Sequence, residues 1–75
     1  MRVSPLTTAE LRVLHYLPTH LSFPEIAKGL FVSRHTIKTQ ALAVYHKLGV
    51  SSRNEAVVRA RHLGLLPALP AAAHG

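Results

Sequence analysis

Arg34, His35, Lys38 and Thr39 stand at the start of a segment that Ser33 is placed to cap. On a helix, these residues give the first turns a cationic, hydrogen-bonding outer face. The free N–H groups and positive dipole end of such a helix also favour a nearby phosphate. A helix of this kind is suited to enter the major groove of DNA with its N-terminal residues toward the base edges. The six histidines, His15, His20, His35, His46, His62 and His74, raise the question of a metal. They form no His-Glu-x-x-His pair, no cysteine accompanies them, and only 3 acidic residues are present, so no metal is expected. No serine has a histidine and an acid in a triad-like arrangement, and there is no glycine-rich phosphate loop. Neither catalysis nor a cofactor is expected.

The chain has 75 residues, enough for one domain with a modest core. Hydrophobic residues make up 48% and aromatics only 5%, so the core must be built from Leu, Val, Ile and Ala. Lys and Arg number 9 against 3 acids, a formal charge of +6 that suggests a polyanionic partner. The charge is uneven. Before Arg34, Arg2, Arg12 and Lys28 face Glu10 and Glu25; from Arg34 onward, Arg34, Lys38, Lys47, Arg53, Arg59 and Arg61 face Glu55 alone. The absence of cysteine excludes a disulfide scaffold and fits a reducing compartment. With no apolar run of about 18 residues and no signal-like N-terminus, a soluble cytoplasmic protein with no membrane partner is expected.

Four capped helices account for most of the chain. Thr7 and Glu10 have capping-box spacing, with Leu6 and Leu11 as a hydrophobic staple. The first helix is expected over 8–17, ended by Pro18, with Val13, Leu14 and Leu17 inward. Ser22 and Glu25 repeat the box for a short helix over 23–30, with Pro24 in its first turn and Ile26, Ala27 and Leu30 on one face. The third helix spans 34–48 and stops at Gly49; Ile37, Ala41, Val44 and Leu48 form its apolar stripe. Lys38, Leu42 and either Tyr45 or His46 lie opposite. Ser52 and Glu55 suggest a box for a fourth helix over 53–63, with Ala56, Val57, Ala60 and Leu63 inward and Val58, Arg61 and His62 on other faces. Residues 1–5 read as an arm, 6–66 as the domain, and the Pro/Ala-rich 67–75 as a flexible tail. The expected fold is therefore all-α, a four-helix bundle.

Within it, Ser22 to Leu48 has the pattern of a helix-turn-helix: a short helix, a tight Phe31-Val32 connection and a longer capped helix. Ala27 allows close approach, and Leu30, Val32 and Ile37 are spaced to pack under the turn. Tyr45 reads as a core-edge aromatic rather than a DNA contact. Arg53 reads as structural, ion-paired with Glu10 or Glu55. Lys47 suits either a phosphate or the negative end of its helix dipole.

The strings Glu25-Ile26-Ala27, Val32-Ser33, Thr36-Ile37-Lys38-Thr39, Tyr45-His46-Lys47-Leu48-Gly49-Val50 and Ser52-Arg53-Asn54-Glu55-Ala56-Val57, with Leu6-Thr7, Glu10 and Val13-Leu14 before them, resemble the LuxR-type helix-turn-helix domain of bacterial transcription regulators. The resemblance covers about residues 6–66. It implies a four-helix domain that binds double-stranded DNA, as a homodimer on an inverted repeat with the fourth helix at the dimer contact. It implies base contacts from Lys38, Thr39 and Leu42 and phosphate contacts around Ser22, Ser33, Thr36 and Lys47. It also brings in RNA polymerase as a candidate partner. Such domains usually end larger regulators, although small stand-alone members exist. The stretches 19–23 and 38–41 are similar to the ATPase-bearing regulators.

Several positions depart from the family pattern. Arg12 stands where a second acid is common, His20 replaces a glycine, Phe23-Pro24 replaces a polar pair, and Gln40 replaces a histidine. Leu42 stands where some members carry a basic base-reader, and it suits a thymine methyl instead. The target sequence therefore does not transfer from a relative. Two other functions compete: a sigma-factor region reading a promoter through a similar helix pair, and a protein-interaction module whose basic face docks an acidic partner.

Overall fold

A computed structural model describes residues 6–67. The arm at residues 1–5 and the tail, apart from Pro67, lie outside the described residues. Four α-helices follow one another: α1 (Thr8–Tyr16), α2 (Phe23–Leu30), α3 (Arg34–Leu48) and α4 (Arg53–His62). The described residues contain no strand. The expected all-α class is thus observed, with helix ends within one residue of those read from the sequence.

The caps explain why the helices begin where they do. Thr7 Oγ1 accepts the Glu10 N–H at 3.1 Å while Glu10 Oε1 accepts the Thr7 N–H at 2.9 Å. Ser22 and Glu25 exchange the same pair of bonds. Each satisfies two donors that a helix start leaves unpaired. At α4 the expected reciprocal box is shifted by one residue. Ser52 Oγ accepts from the Glu55 N–H, but Glu55 Oε1 turns back to the N–H and hydroxyl of Ser51. The Glu55 carboxyl thereby reaches two donors rather than the single N–H a box would offer.

Three helices end alike. After α3, the Gly49 N–H bonds His46 C=O and the Val50 N–H bonds Tyr45 C=O, with Gly49 at φ 72°. This is the left-handed cap that releases the chain from a helix. After α4, Gly64 (φ 79°) does the same, with Leu65 N–H bonded to Ala60 C=O. After α2 the left-handed residue is Phe31 (φ 60°), a conformation that costs a non-glycine residue on the order of 1 kcal/mol.

Helix α3 makes the main contacts with each of the other three helices. Its buried stripe of Ile37, Ala41, Val44 and Leu48 meets Val13, Leu14 and Leu17 from α1, Ile26 and Ala27 from α2, and Ala56, Val57 and Ala60 from α4. Leu6 joins this core, and the half-buried Leu11 packs against the same cluster. Two packing expectations need correction, and one open choice is decided. Leu63 is exposed: α4 ends at His62, and the turn at Gly64 delivers Leu66 to the core in its place. Val32 lies at the surface, while Ala27 and Ile37 are the buried residues on either side of the turn. Tyr45 is buried at the core edge, so His46 is the member of that pair on the outer face.

Arg53 does not form an ion pair with Glu10 or Glu55. Its guanidinium donates to the carbonyls of Leu17 (3.0 Å), Tyr16 (3.3 Å) and Thr19 (3.0 Å). It also lies 5.6 Å from the Phe23 ring centroid. Planar forked donors suit the clustered carbonyls at a helix C-terminus, where the dipole is negative. The start of α4 is thus tied to the end of α1 and to the first residue of α2.

Candidate nucleic-acid interface

The outer surface of α3 carries Arg34, His35, Lys38, Thr39, Leu42 and His46, all exposed. At 100° per residue these positions fall on one side of the helix, opposite the buried stripe. No acidic residue occurs anywhere in α3. The three carboxylates of the chain lie elsewhere, each engaged in a cap. Backbone and side-chain bonds from Ser22 and from Ser51 hold Glu25 and Glu55, respectively, below the usual carboxylate range. All three are therefore ionised at neutral pH, and none belongs to α3.

The N-terminus of α3 is organised by hydroxyls. Ser33 Oγ accepts the Thr36 N–H at 3.0 Å and donates to Thr36 Oγ1 at 2.9 Å, so the Thr36 O–H is not used in this pair. Ser22 is exposed and caps α2 in the same manner. Both helices of the helix-turn-helix thus begin at a serine cap: Ser22 at the start of α2 and, just after the turn, Ser33 at the start of α3.

Lys47 is placed differently from the other cations. Its Nζ lies 2.7 Å from Oε1 of the buried Glu10, and its side chain remains 32% exposed. Burial pushes the Glu10 carboxyl upward, but the bond from Lys47 and that from the Thr7 backbone outweigh it and leave the group lowered. A carboxyl lowered by folding adds stability above its unfolded value, and that stability is lost as pH falls through its folded value. Glu10→Gln should therefore lose about 1–2 kcal/mol near neutral pH, and the gap to the unaltered chain should close below about pH 4. Urea titrations of both chains at the two pH values check this. An equal gap at both would show that the charge of Glu10 contributes nothing.

On α4, Val58 is 58% exposed and His62 is exposed beside it, one turn on. A shallow groove runs past Val58, lined also by Val50, Ser51, Asn54 and His62. Arg61 is half-buried in a second cleft near Leu17, Thr19 and Val57, and its Nε has no hydrogen-bond partner. Arg34, His35, Lys38, Thr39 and Leu42 thus share one face of α3, with the Ser33 cap at its start, while Lys47 turns to Glu10 and Ser22 stands at the start of α2. Val58 and His62 line the α4 groove together with Arg59, whereas Arg61 lies in the separate cleft. Sequence reasoning missed the anchoring of Arg53 and the pairing of Lys47 with Glu10, because both span more than thirty residues of chain. Among the described residues, no histidine or acidic side chains gather as metal ligands, and no helix is long and apolar enough to cross a membrane.

Comparison with known proteins agrees with this geometry. Residues 4–60 match the family described as bacterial regulatory proteins, luxR family. The HTH-type transcriptional regulator MalT of Yersinia pestis (strain Pestoides F) is 44% identical over 63 residues, which is 84% of this chain and 7% of that protein. MalT of Vibrio campbellii is 41% identical over the same length and shares. The chain therefore spans only a small part of these relatives. The crystal structure of the response regulator ChrA of a heme-sensing two-component system superposes with a TM-score of 0.79 at 35% identity, covering 88% of this chain and 33% of that one. With the family matched over most of its length and the helix-turn-helix in place, the chain belongs to the luxR family of bacterial regulatory proteins, as a DNA-binding helix-turn-helix domain of transcription regulation.

Proposed function

We propose that this domain binds an inverted-repeat DNA site as a homodimer, with α3 in the major groove of each half-site. The carrying observation is the α3 surface: cationic, free of acids, exposed along its length and backed by a buried stripe that fixes its orientation. Lys38 and Thr39 reach base edges, Leu42 lies beside them, and Arg34 and His35 work at the groove's rim. The Ser22 and Thr36 hydroxyls, with the free N–H groups at the Ser33 cap, hold phosphates. Lys47, paired with Glu10, is a further cation for the phosphate backbone. Such phosphate contacts supply affinity and the base contacts supply specificity.

Selection of bound sequences from a random DNA pool tests this reading. Enrichment of a two-fold motif with half-sites about one helical turn apart is expected. Failure to enrich any motif, with capture of acidic proteins instead, would overturn it.

The dimer contact runs through α4, with Val58 and His62 at its centre. The contact surface is small and the chain is cationic, so the free domain is expected to be monomeric and to pair on DNA. Val58→Asp should leave the monomer folded, since the side chain is exposed. It should weaken binding to the full repeat about tenfold more than binding to a half-site. Gel shifts on the two DNAs compare these losses, and sedimentation reports the free state. Equal losses on both would remove α4 from the contact.

A further inference from the structure

Leu42 is the one purely apolar side chain on the outer surface of α3. It is 55% exposed. Lys38 lies one turn before it, Thr39 three residues before it and His46 one turn after it, all exposed. The neighbours can donate hydrogen bonds or carry charge; Leu42 can do neither. The fold does not require it, because the buried stripe of α3 is complete with Ile37, Ala41, Val44, Tyr45 and Leu48. An apolar group at the centre of a cationic DNA-facing surface has one apolar counterpart in the major groove, a methyl on C5 of a pyrimidine.

We infer that Leu42 selects thymine in each half-site by packing on its C5-methyl, an inference that rests on reading α3 as the major-groove helix. Its place relative to the lysine follows from helix geometry. Four residues advance the helix by about 6 Å, and bases on a strand are about 3.4 Å apart. The selected thymine therefore lies within about two base pairs of the base that Lys38 contacts, which for a lysine is most often guanine. The methyl of 5-methylcytosine projects from the same carbon, so Leu42 accepts that base as well. This domain then distinguishes methylated from unmethylated cytosine at that position.

The test uses the 75-residue chain and the sequence enriched from the random pool. Each thymine is replaced in turn by deoxyuridine, which removes only the methyl. One position per half-site should lose about fourfold in affinity, the equivalent of ~0.8 kcal/mol for one buried methyl group. Replacing that thymine by cytosine should weaken binding, and methylating the cytosine at C5 should recover about fourfold. With Leu42→Ala both methyl effects should disappear. The proposal is overturned if no thymine is sensitive to loss of its methyl, or if the sensitivity persists in Leu42→Ala. Because the uridine series uses the unaltered chain, a folding defect in the variant does not bear on it. Failure of the chain to bind any DNA is a different result, which overturns the major-groove reading itself.

Discussion

Ile37→Ala should cost the domain about 2–5 kcal/mol, the usual range for removing most of a large aliphatic side chain from a closed core. Ile37 is wholly inaccessible to solvent. It sits in the first turns of α3, the helix against which the other three pack. The cavity would open beneath the helix-turn-helix itself, where small Ala27 has no spare side chain to fill it. Domains of this size hold only about 0.05–0.15 kcal/mol per residue, so the loss takes a large share of the total. Urea unfolding followed by circular dichroism gives the value directly. An unchanged midpoint would mean that the buried stripe of α3 has been assigned to the wrong side.

Lys38→Ala should behave in the opposite way, with stability retained and binding lost. Lys38 is exposed and makes no contact that the core needs. If it reads a base edge, its removal should weaken binding to the selected site by about 1–3 kcal/mol and relax discrimination at one base pair. If it contacts only phosphate, all sequences should weaken together and the salt dependence should fall by about one ion. Titrations of selected and scrambled DNA at two salt concentrations separate these outcomes. Equal affinity of the variant and the parent chain for the selected site would remove Lys38 from the interface.

The contrast between these neighbours follows from helical periodicity. Adjacent residues on a helix point about 100° apart, so a buried Ile37 and an exposed Lys38 are both readable from spacing. The same period placed Ala41, Val44 and Leu48 inward and Arg34, His35 and Leu42 outward, as the structure has them. The serine and threonine caps were legible for a similar reason, since each involves residues only three apart. Leu63 shows where this reasoning ends. Its spacing continues the inner stripe of α4, yet the turn at Gly64 stops the helix and sends Leu66 inward. Competition between two leucines for one place in the core depends on where the backbone goes after the helix, which periodicity does not contain.

The sequence by itself determined what short-range physics decides: four helices, the residues that cap their starts, most of the buried stripe of each, the helix-turn-helix and the excess of positive charge from Arg34 onward. Those features depend on residues within a turn or two of one another. Only the tertiary structure decided which distant groups meet. Glu10 finds Lys47 across 37 residues, and Arg53 closes the end of α1 instead of pairing with a carboxylate. Spacing along the chain is silent on such pairs. A lysine or arginine has several carboxylates and carbonyls of nearly equal attraction within reach of its long side chain. Which of them it takes is set by the angles at which the helices pack, and those follow from the fit of the whole core.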